Sequence, residues 1–250
     1  GKKVIDLDLF PTAIVRNINV SKVYNVDQFA DMSGASVNII TKDGGAGEDY
    51  ISASFGVNYN TNSTFKDFYT SKEGDLDYLG FSGSGRAEPT TQFNIAKYEF
   101  ANDDTNPFKT GFGAKNIKAP LDNRFGVQYL KSFKGENAEG GLVFSTSYRN
   151  KYTFDEGINM ILDNNQNPNS DLYRERYQYS TNLTGLIGGR YEYKKLKVNV
   201  NYIFLNGSNN NYFVSQGNTW EDDSPETMDQ RFIRNRYLQR GMNDIQAIAE

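Results

Sequence analysis

Tyr50-Ile51-Ser52-Ala53-Ser54-Phe55-Gly56-Val57-Asn58-Tyr59 is the stretch on which the reading of the fold turns. Ile51, Ala53, Phe55, Val57 and Tyr59 fall on one side of an extended backbone, and Ser52, Ser54, Gly56 and Asn58 fall on the other. A strand needs this alternation when one of its faces meets an apolar medium and the other meets water. The same period of two returns at Phe125, Val127, Tyr129 and Phe133, and at Leu142, Phe144, Thr146 and Tyr148. It returns again at Tyr177, Tyr179, Leu183 and Ile187, and at Leu196, Val198, Val200, Tyr202 and Phe204. Arg231–Gln239 and Ile245–Ala249 are expected to begin two more strands, which makes six or seven in all.

The connections carry the second half of the argument. Long outer loops are expected near 60–122, 152–172 and 207–230, and short turns at Gly135–Glu139, Lys194-Lys195 and Gly241-Met242-Asn243. An up-and-down membrane barrel has short turns on one edge and long loops on the other, whereas a soluble sandwich has no reason to sort loop length by parity. Tyr59, Tyr148, Tyr193 and Phe204 lie near strand ends, where interfacial aromatic girdles sit. An open sheet in lipid leaves unpaired edges that cost several kcal/mol per backbone group. Either an eighth strand is present, or the chain is a segment of a larger barrel.

Composition agrees with a mainly β protein. Hydrophobic residues make up only 37%, yet there are 17 Tyr and 17 Phe, residue types that favour strands and interfaces. The chain has neither Cys nor His, which removes disulfides, thiol chemistry, the commonest general base and the usual zinc ligands. A net charge of -4 without a basic run argues against nucleic acid as a partner. The mean hydropathy of -0.68 resembles that of a soluble protein. Barrel strands escape such averages, because every second residue faces water. The start at Gly1, without Met or secretory signal, suggests a processed or incomplete product.

Upstream of Tyr50 the character differs. Val4–Leu9 and Ile14–Val23 are short β-like runs, Asp27–Met32 suits a helical turn, and Val37–Thr41 is a β-branched strand. Gly44, Gly45 and Gly47 follow as a hinge. By itself Val37–Lys42 also fits a buried strand of any α+β domain.

Phe10-Pro11, Val20-Ser21-Lys22, Val26-Asp27 and Ser33-Gly34-Ala35-Ser36-Val37-Asn38-Ile39-Ile40-Thr41-Lys42 resemble the C-terminal part of the plug of TonB-dependent outer-membrane receptors. In that family a Gly-rich step leads into a Val-Asn-Ile-x-Thr-Lys strand just before the barrel. Asp75-Leu76-Asp77-Tyr78-Leu79-Gly80-Phe81 is similar to a first-loop segment of the same family, in the style of its Bacteroidota branch. Asp31-Met32-Ser33-Gly34 departs from the Tyr-Gly step of many plugs. The resemblance implies a partial plug domain, small and mixed α+β, over 1–43, a Gly-rich hinge over 44–49, and the first strands of a transmembrane β-barrel over 50–250. That barrel has about 22 antiparallel strands in the family and is incomplete in this chain.

Several functional expectations follow from the resemblance. The protein would be a receptor of the Gram-negative outer membrane that imports an extracellular ligand with energy relayed by TonB, and it would perform no covalent chemistry. Its partners would be TonB, outer-membrane lipid and other outer-membrane subunits, such as a surface lipoprotein lid. No cofactor or metal is implied. Gly34, Val37, Asn38, Thr41 and Lys42 would form the junction between plug and barrel. The alternatives are a barrel subunit that docks partners without importing, and a soluble all-β carbohydrate-binding or hydrolytic domain.

Ligand contacts are expected at Trp220, Tyr212 and Phe213, which lie in one predicted outer loop and suit stacking on a sugar or peptide, although loop-to-loop packing explains them as well. Asp163-x-Asn165-x-Asn167 starts like a calcium loop, but Pro168 stands where Gly is needed and Arg174 where the twelfth-position Glu belongs. Glu221-Asp222-Asp223 and Asp103-Asp104 read as solvated acidic loops. Gly80, Gly83 and Gly85 read as turns. Arg174, Arg176 and Arg190 share one face of the fourth strand and are expected to point into the lumen.

Overall fold

In a computed structural model, residues 14–23, 35–42, 49–72, 74–86, 113–162, 164, 166, 168–220 and 227–250 are described. The molecule is mainly β and antiparallel. β1 (Val15–Ser21) and β2 (Ser36–Thr41) form a two-stranded sheet, and β4 (Asp67–Ser71) and β5 (Ala114–Lys118) form another. The large sheet has six strands: β3 (Tyr50–Asn58), β6 (Asp122–Lys134), β7 (Ala138–Leu162), β8 (Pro168–Tyr193), β9 (Leu196–Trp220) and β10 (Thr227–Ala249). Their order is β10-β9-β8-β7-β6-β3, so each strand of this sheet pairs with the one that follows it, and β4 and β5 are carried in the excursion between β3 and β6.

The predicted strand from Tyr50 is present with its period intact. The tight turn at Lys194-Lys195 is also present, and the turn after β6 closes with the Gly135 amide donating to the Ala138 carbonyl at 2.7 Å. Three expectations are corrected. No turn forms at Gly241-Met242-Asn243, because Met242 pairs with Leu205 and Asn243 with Phe204 in unbroken register, which merges two expected strands into β10. The loops expected near 152–172 and 207–230 are mostly strand, since β7 reaches Leu162, β8 starts at Pro168, β9 reaches Trp220 and β10 starts at Thr227. The first loop, expected over 60–122, carries β4 and β5. Val4–Leu9, Asp27–Met32, the hinge glycines, Asp103-Asp104, Asp163, Asn165, Asn167 and Glu221–Asp223 lie outside the described residues.

Directly opposed residues in an antiparallel ladder project to the same side, so the register defines two faces. On one face, Ile51, Tyr129, Phe144, Ile187, Tyr202 and Ile245 form a row across all six strands. Ile51 is 75% exposed, Ile187 57% and Ile245 75%. Rows on either side continue the same character through Phe55, Phe125, Phe133, Leu142 and Val200, all exposed. This lower half of the sheet therefore presents a broad uncovered apolar surface.

Farther along the same face the surface is covered. The β4-β5 pair packs Phe68 against Tyr152 and Tyr177 with ring centroids 5.3 and 5.5 Å apart, and Tyr69 against Tyr177 at 5.1 Å. Edge-on contacts of this kind suit the ring quadrupole and bury large apolar areas. Here β7, β8 and β9 continue beyond the apolar band as a platform for the loop between β3 and β6. A second cluster lies on the opposite face, where Ile14, just before β1, is fully buried with Val143, Leu186, Ile203 and Leu205.

Candidate functional site

The residues expected at the plug-barrel junction are placed as follows. Gly34 lies outside the described residues. Val37 and Asn38 sit on β2, exposed, paired with Val20 and Asn19 of β1. Thr41 pairs with Val15, and the Lys42 amide donates to the Ile14 carbonyl at 3.0 Å. The Lys42 ammonium turns toward the large sheet, donating to Gln128 Oε1 at 3.1 Å and reaching the Tyr50 hydroxyl at 3.5 Å, while that hydroxyl donates to the same Gln128 oxygen at 3.0 Å. Lys42 thus ties the end of β2 to the first two strands of the sheet.

Asp49, the residue before β3, makes a second tie. Its carboxylate accepts from the Lys131 ammonium, from the Ser132 amide at 2.6 Å and from the Ser132 hydroxyl at 3.0 Å. The Lys131 hydrogen bond, followed by those from Ser132, lowers its pKa from 3.8 to about 2. A folded-state pKa below the unfolded value stabilises at pH above the unfolded value and loses that effect as pH falls through the folded one. The stability that the tie contributes is therefore complete from neutral pH down to about 4 and lost between about 4 and 2, while the tie itself opens only around pH 2. Carboxyl-carbon NMR should place the Asp49 midpoint near 2; a midpoint near 4 would show that the tie does not form.

The segment Asp75–Arg86 forms the most extensive polar cluster. Two 3-10 turns, Asp77–Leu79 and Ser84–Arg86, fold it back so that Arg86 meets the Asp77 carboxylate in a bidentate pair, with Nη2 at 2.8 Å from Oδ2. Arg86 also donates to Ser71 Oγ at 2.6 Å, and its guanidinium lies 3.9 Å from the Tyr237 ring centroid. Asn210 Nδ2 donates to Asp77 Oδ2 at 3.0 Å and to Ser71 Oγ at 2.7 Å. The Thr181 hydroxyl donates to the Asp77 carbonyl at 3.1 Å, and Asn206 Nδ2 to the Leu79 and Gly80 carbonyls at 3.2 and 3.0 Å. Gln239 completes the network by donating to Asn206 Oδ1 at 2.9 Å and accepting from the Ser82 amide at 3.0 Å. β8, β9 and β10 each contribute to holding this loop.

Gly80 and Gly83 are turns, as expected from the sequence, with φ of 83° and 61°. At Gly80 a Cβ would also stand 2.9 Å from Asn206 Nδ2. Gly80→Ala should therefore cost about 1–3 kcal/mol for the left-handed backbone and the displaced amide. Urea unfolding of the refolded protein measures this; an unchanged midpoint would show that the segment is not held.

Tyr212 and Phe213 do not converge. Tyr212 is 6% exposed and packs against Tyr69, so it serves loop-to-sheet packing. Phe213 is its neighbour in β9 and therefore points to the opposite face. Trp220 ends β9 and pairs with Thr227. Arg174 and Arg176 fall on the face opposite the β4-β5 pair, as does Arg190 lower in the strand, so the three share one side of β8. Arg176 Nε donates to Asp155 Oδ2 at 2.6 Å, and Arg190 Nη2 to Glu192 Oε2 at 2.9 Å. Sequence reading missed the roles of Asn206 and Asn210: Asn210 falls in the loop expected near 207–230, and Asn206 just precedes it. Between the loop and the sheet lies a half-open cavity of roughly 290 Å3, lined by Lys72, Asp75, Tyr78, Lys115, Tyr152 and Tyr179.

Comparison with family models, with curated proteins and with solved structures returned no match.

Proposed function

We propose that this chain is part of an outer-membrane active-transport receptor of the TonB-dependent kind, in which β3 and β6–β10 belong to the wall of a transmembrane barrel and β1-β2 to the end of its plug. One observation carries the reading: an uncovered apolar band crosses six antiparallel strands, and the opposite face of the same strands holds a separate strand pair through Ile14 and Lys42. A soluble monomer seldom leaves a contiguous apolar patch above a few hundred Å2 bare, whereas lipid covers such a band without further cost. From Leu183 to Tyr193 the strand rises about 33 Å at 3.3 Å per residue. At a tilt of about 40° that spans about 25 Å, the height of an outer-membrane apolar band.

In this reading the β7–β9 extensions and the loop clamped to them project beyond the bilayer on the outer side, where ligand arrives. Lys42 and Asp49 tie the plug's last strand to the wall, so that remodelling of the plug leaves its end attached. The receptor has no bond-making chemistry to perform. The decisive experiment expresses the full-length protein in a Gram-negative host. Partition into the outer membrane and heat-dependent electrophoretic mobility are expected, together with growth on a defined ligand that requires an intact TonB box. Recovery as a monomer without detergent would overturn the membrane reading, and growth indifferent to the TonB box would leave only a docking role.

A further inference from the structure

The face of β7–β10 opposite the clamped loop has its own composition. Its first row is Arg149, Asn182, Gly207 and Arg240, and its second is Lys151, Ser180, Asn209 and Leu238. Thr153, Gln178, Asn211 and Arg236 form the third row, and Asp155, Arg176, Phe213 and Arg234 the fourth. Gly157, Arg174, Ser215 and Phe232 complete the fifth. Every row bears a cation, and Asp155, matched by Arg176, is the sole carboxylate among them. Glu156 and Glu175 project to the other side. Seven cations, Arg149, Lys151, Arg174, Arg176, Arg234, Arg236 and Arg240, thus share this surface with one carboxylate in a protein of net charge -4, and Arg149, Lys151, Arg174, Arg234 and Arg236 are exposed.

We propose that this surface binds an acidic oligosaccharide, a refinement that rests on the receptor reading above. The cations, spaced by a strand's width and by two residues along it, match a linear ligand with repeated carboxylate or sulfate groups. Between them stand carboxamides, which both donate to and accept from hydroxyl groups; Asn211 Nδ2 already donates to Asn209 Oδ1 at 2.6 Å along this face, so the amides point the same way. Phe232, 51% exposed, and Phe213 in the neighbouring row supply apolar faces on which sugar rings stack. An acidic peptide would use the arginines, but an oligoglutamate offers one backbone amide per residue where a sugar offers several hydroxyl groups, and it has no ring to lay on Phe232 or Phe213. Of the aromatics singled out in the sequence, Phe213 belongs to this site and Tyr212 does not.

The test uses the full-length protein in lipid nanodiscs and calorimetric titration with an oligogalacturonate, a maltooligosaccharide of equal length and an oligoglutamate. Oligogalacturonate should bind, the maltooligosaccharide should bind at least tenfold more weakly, and affinity should fall with added salt. Arg234→Gln/Arg236→Gln should weaken binding tenfold or more, whereas Lys115→Gln, on the other side of the sheet, should leave it unchanged. Equal binding of the neutral sugar, preference for oligoglutamate, or indifference to the arginine changes would each overturn the proposal. Heat-dependent mobility, recorded for every variant, separates the two readings. A protein that inserts but ignores oligogalacturonate sinks this proposal alone, and one that fails to insert sinks both.

Discussion

Asp77→Ala should free the Asp75–Arg86 segment from the sheet at a cost of about 3–5 kcal/mol, the size expected when one partner of a buried ion pair is removed. The side chains of Arg86 and Asp77 are only 11% and 9% exposed, so loss of the carboxylate strands a guanidinium where little water reaches it. Asn210 Nδ2 loses an acceptor in the same step. The loop can relieve this cost by detaching, because its remaining ties are single hydrogen bonds of about 1 kcal/mol each. Limited trypsin digestion of the refolded protein should then cut after Lys72 and Arg86, while the sheet stays resistant. Asp77→Ala/Arg86→Met, which removes both charges and keeps a long apolar stem over Tyr237, should recover much of the loss. Cleavage after Lys72, a site that both variants keep, is the comparison, and equal cleavage there in the single and the double variant would mean that the pair is not what holds the loop.

The same cluster shows what the sequence made legible and what it hid. Alternation at Ile51–Tyr59 and Leu196–Phe204 is a local property, and the strands it predicts are there. The continuation Asn206–Asn211 carries amides where a half-buried strand ordinarily carries apolar residues, so it resembles a loop. Only the arrival of Asp77, Leu79 and Gly80 from a distant part of the chain gives Asn206 and Asn210 buried partners, and that pairing leaves no local signature. Gly241 misled for a related reason. As a turn residue it signals a break, yet the ladder from Leu205 to Asn209 runs past it, and Met242 beside it packs on the cluster around Leu205. The strand that ends beside Lys42 was legible, because it is short and β-branched. The contact of Lys42 with Gln128 depends on a register that the sequence does not encode locally.

Ile187→Arg is the substitution that separates membrane from solvent most sharply. Ile187 lies in the middle row of the apolar band, with Phe144 and Tyr202 opposed to it on either side. In a bilayer an arginine at that depth should cost about 2–4 kcal/mol, enough to slow or abolish insertion of a marginally stable barrel. In water the same side chain, already 57% exposed, would change stability by no more than about 0.5 kcal/mol and would improve solubility. The two media thus predict opposite outcomes for one variant. Ser52→Arg supplies the control, because Ser52 is exposed on the other face of the sheet and should accept the charge in either case. Folding into lipid vesicles, followed by heat-dependent mobility, should fail or slow for Ile187→Arg and proceed for Ser52→Arg. Equal folding of the two variants would mean that the apolar face does not meet lipid.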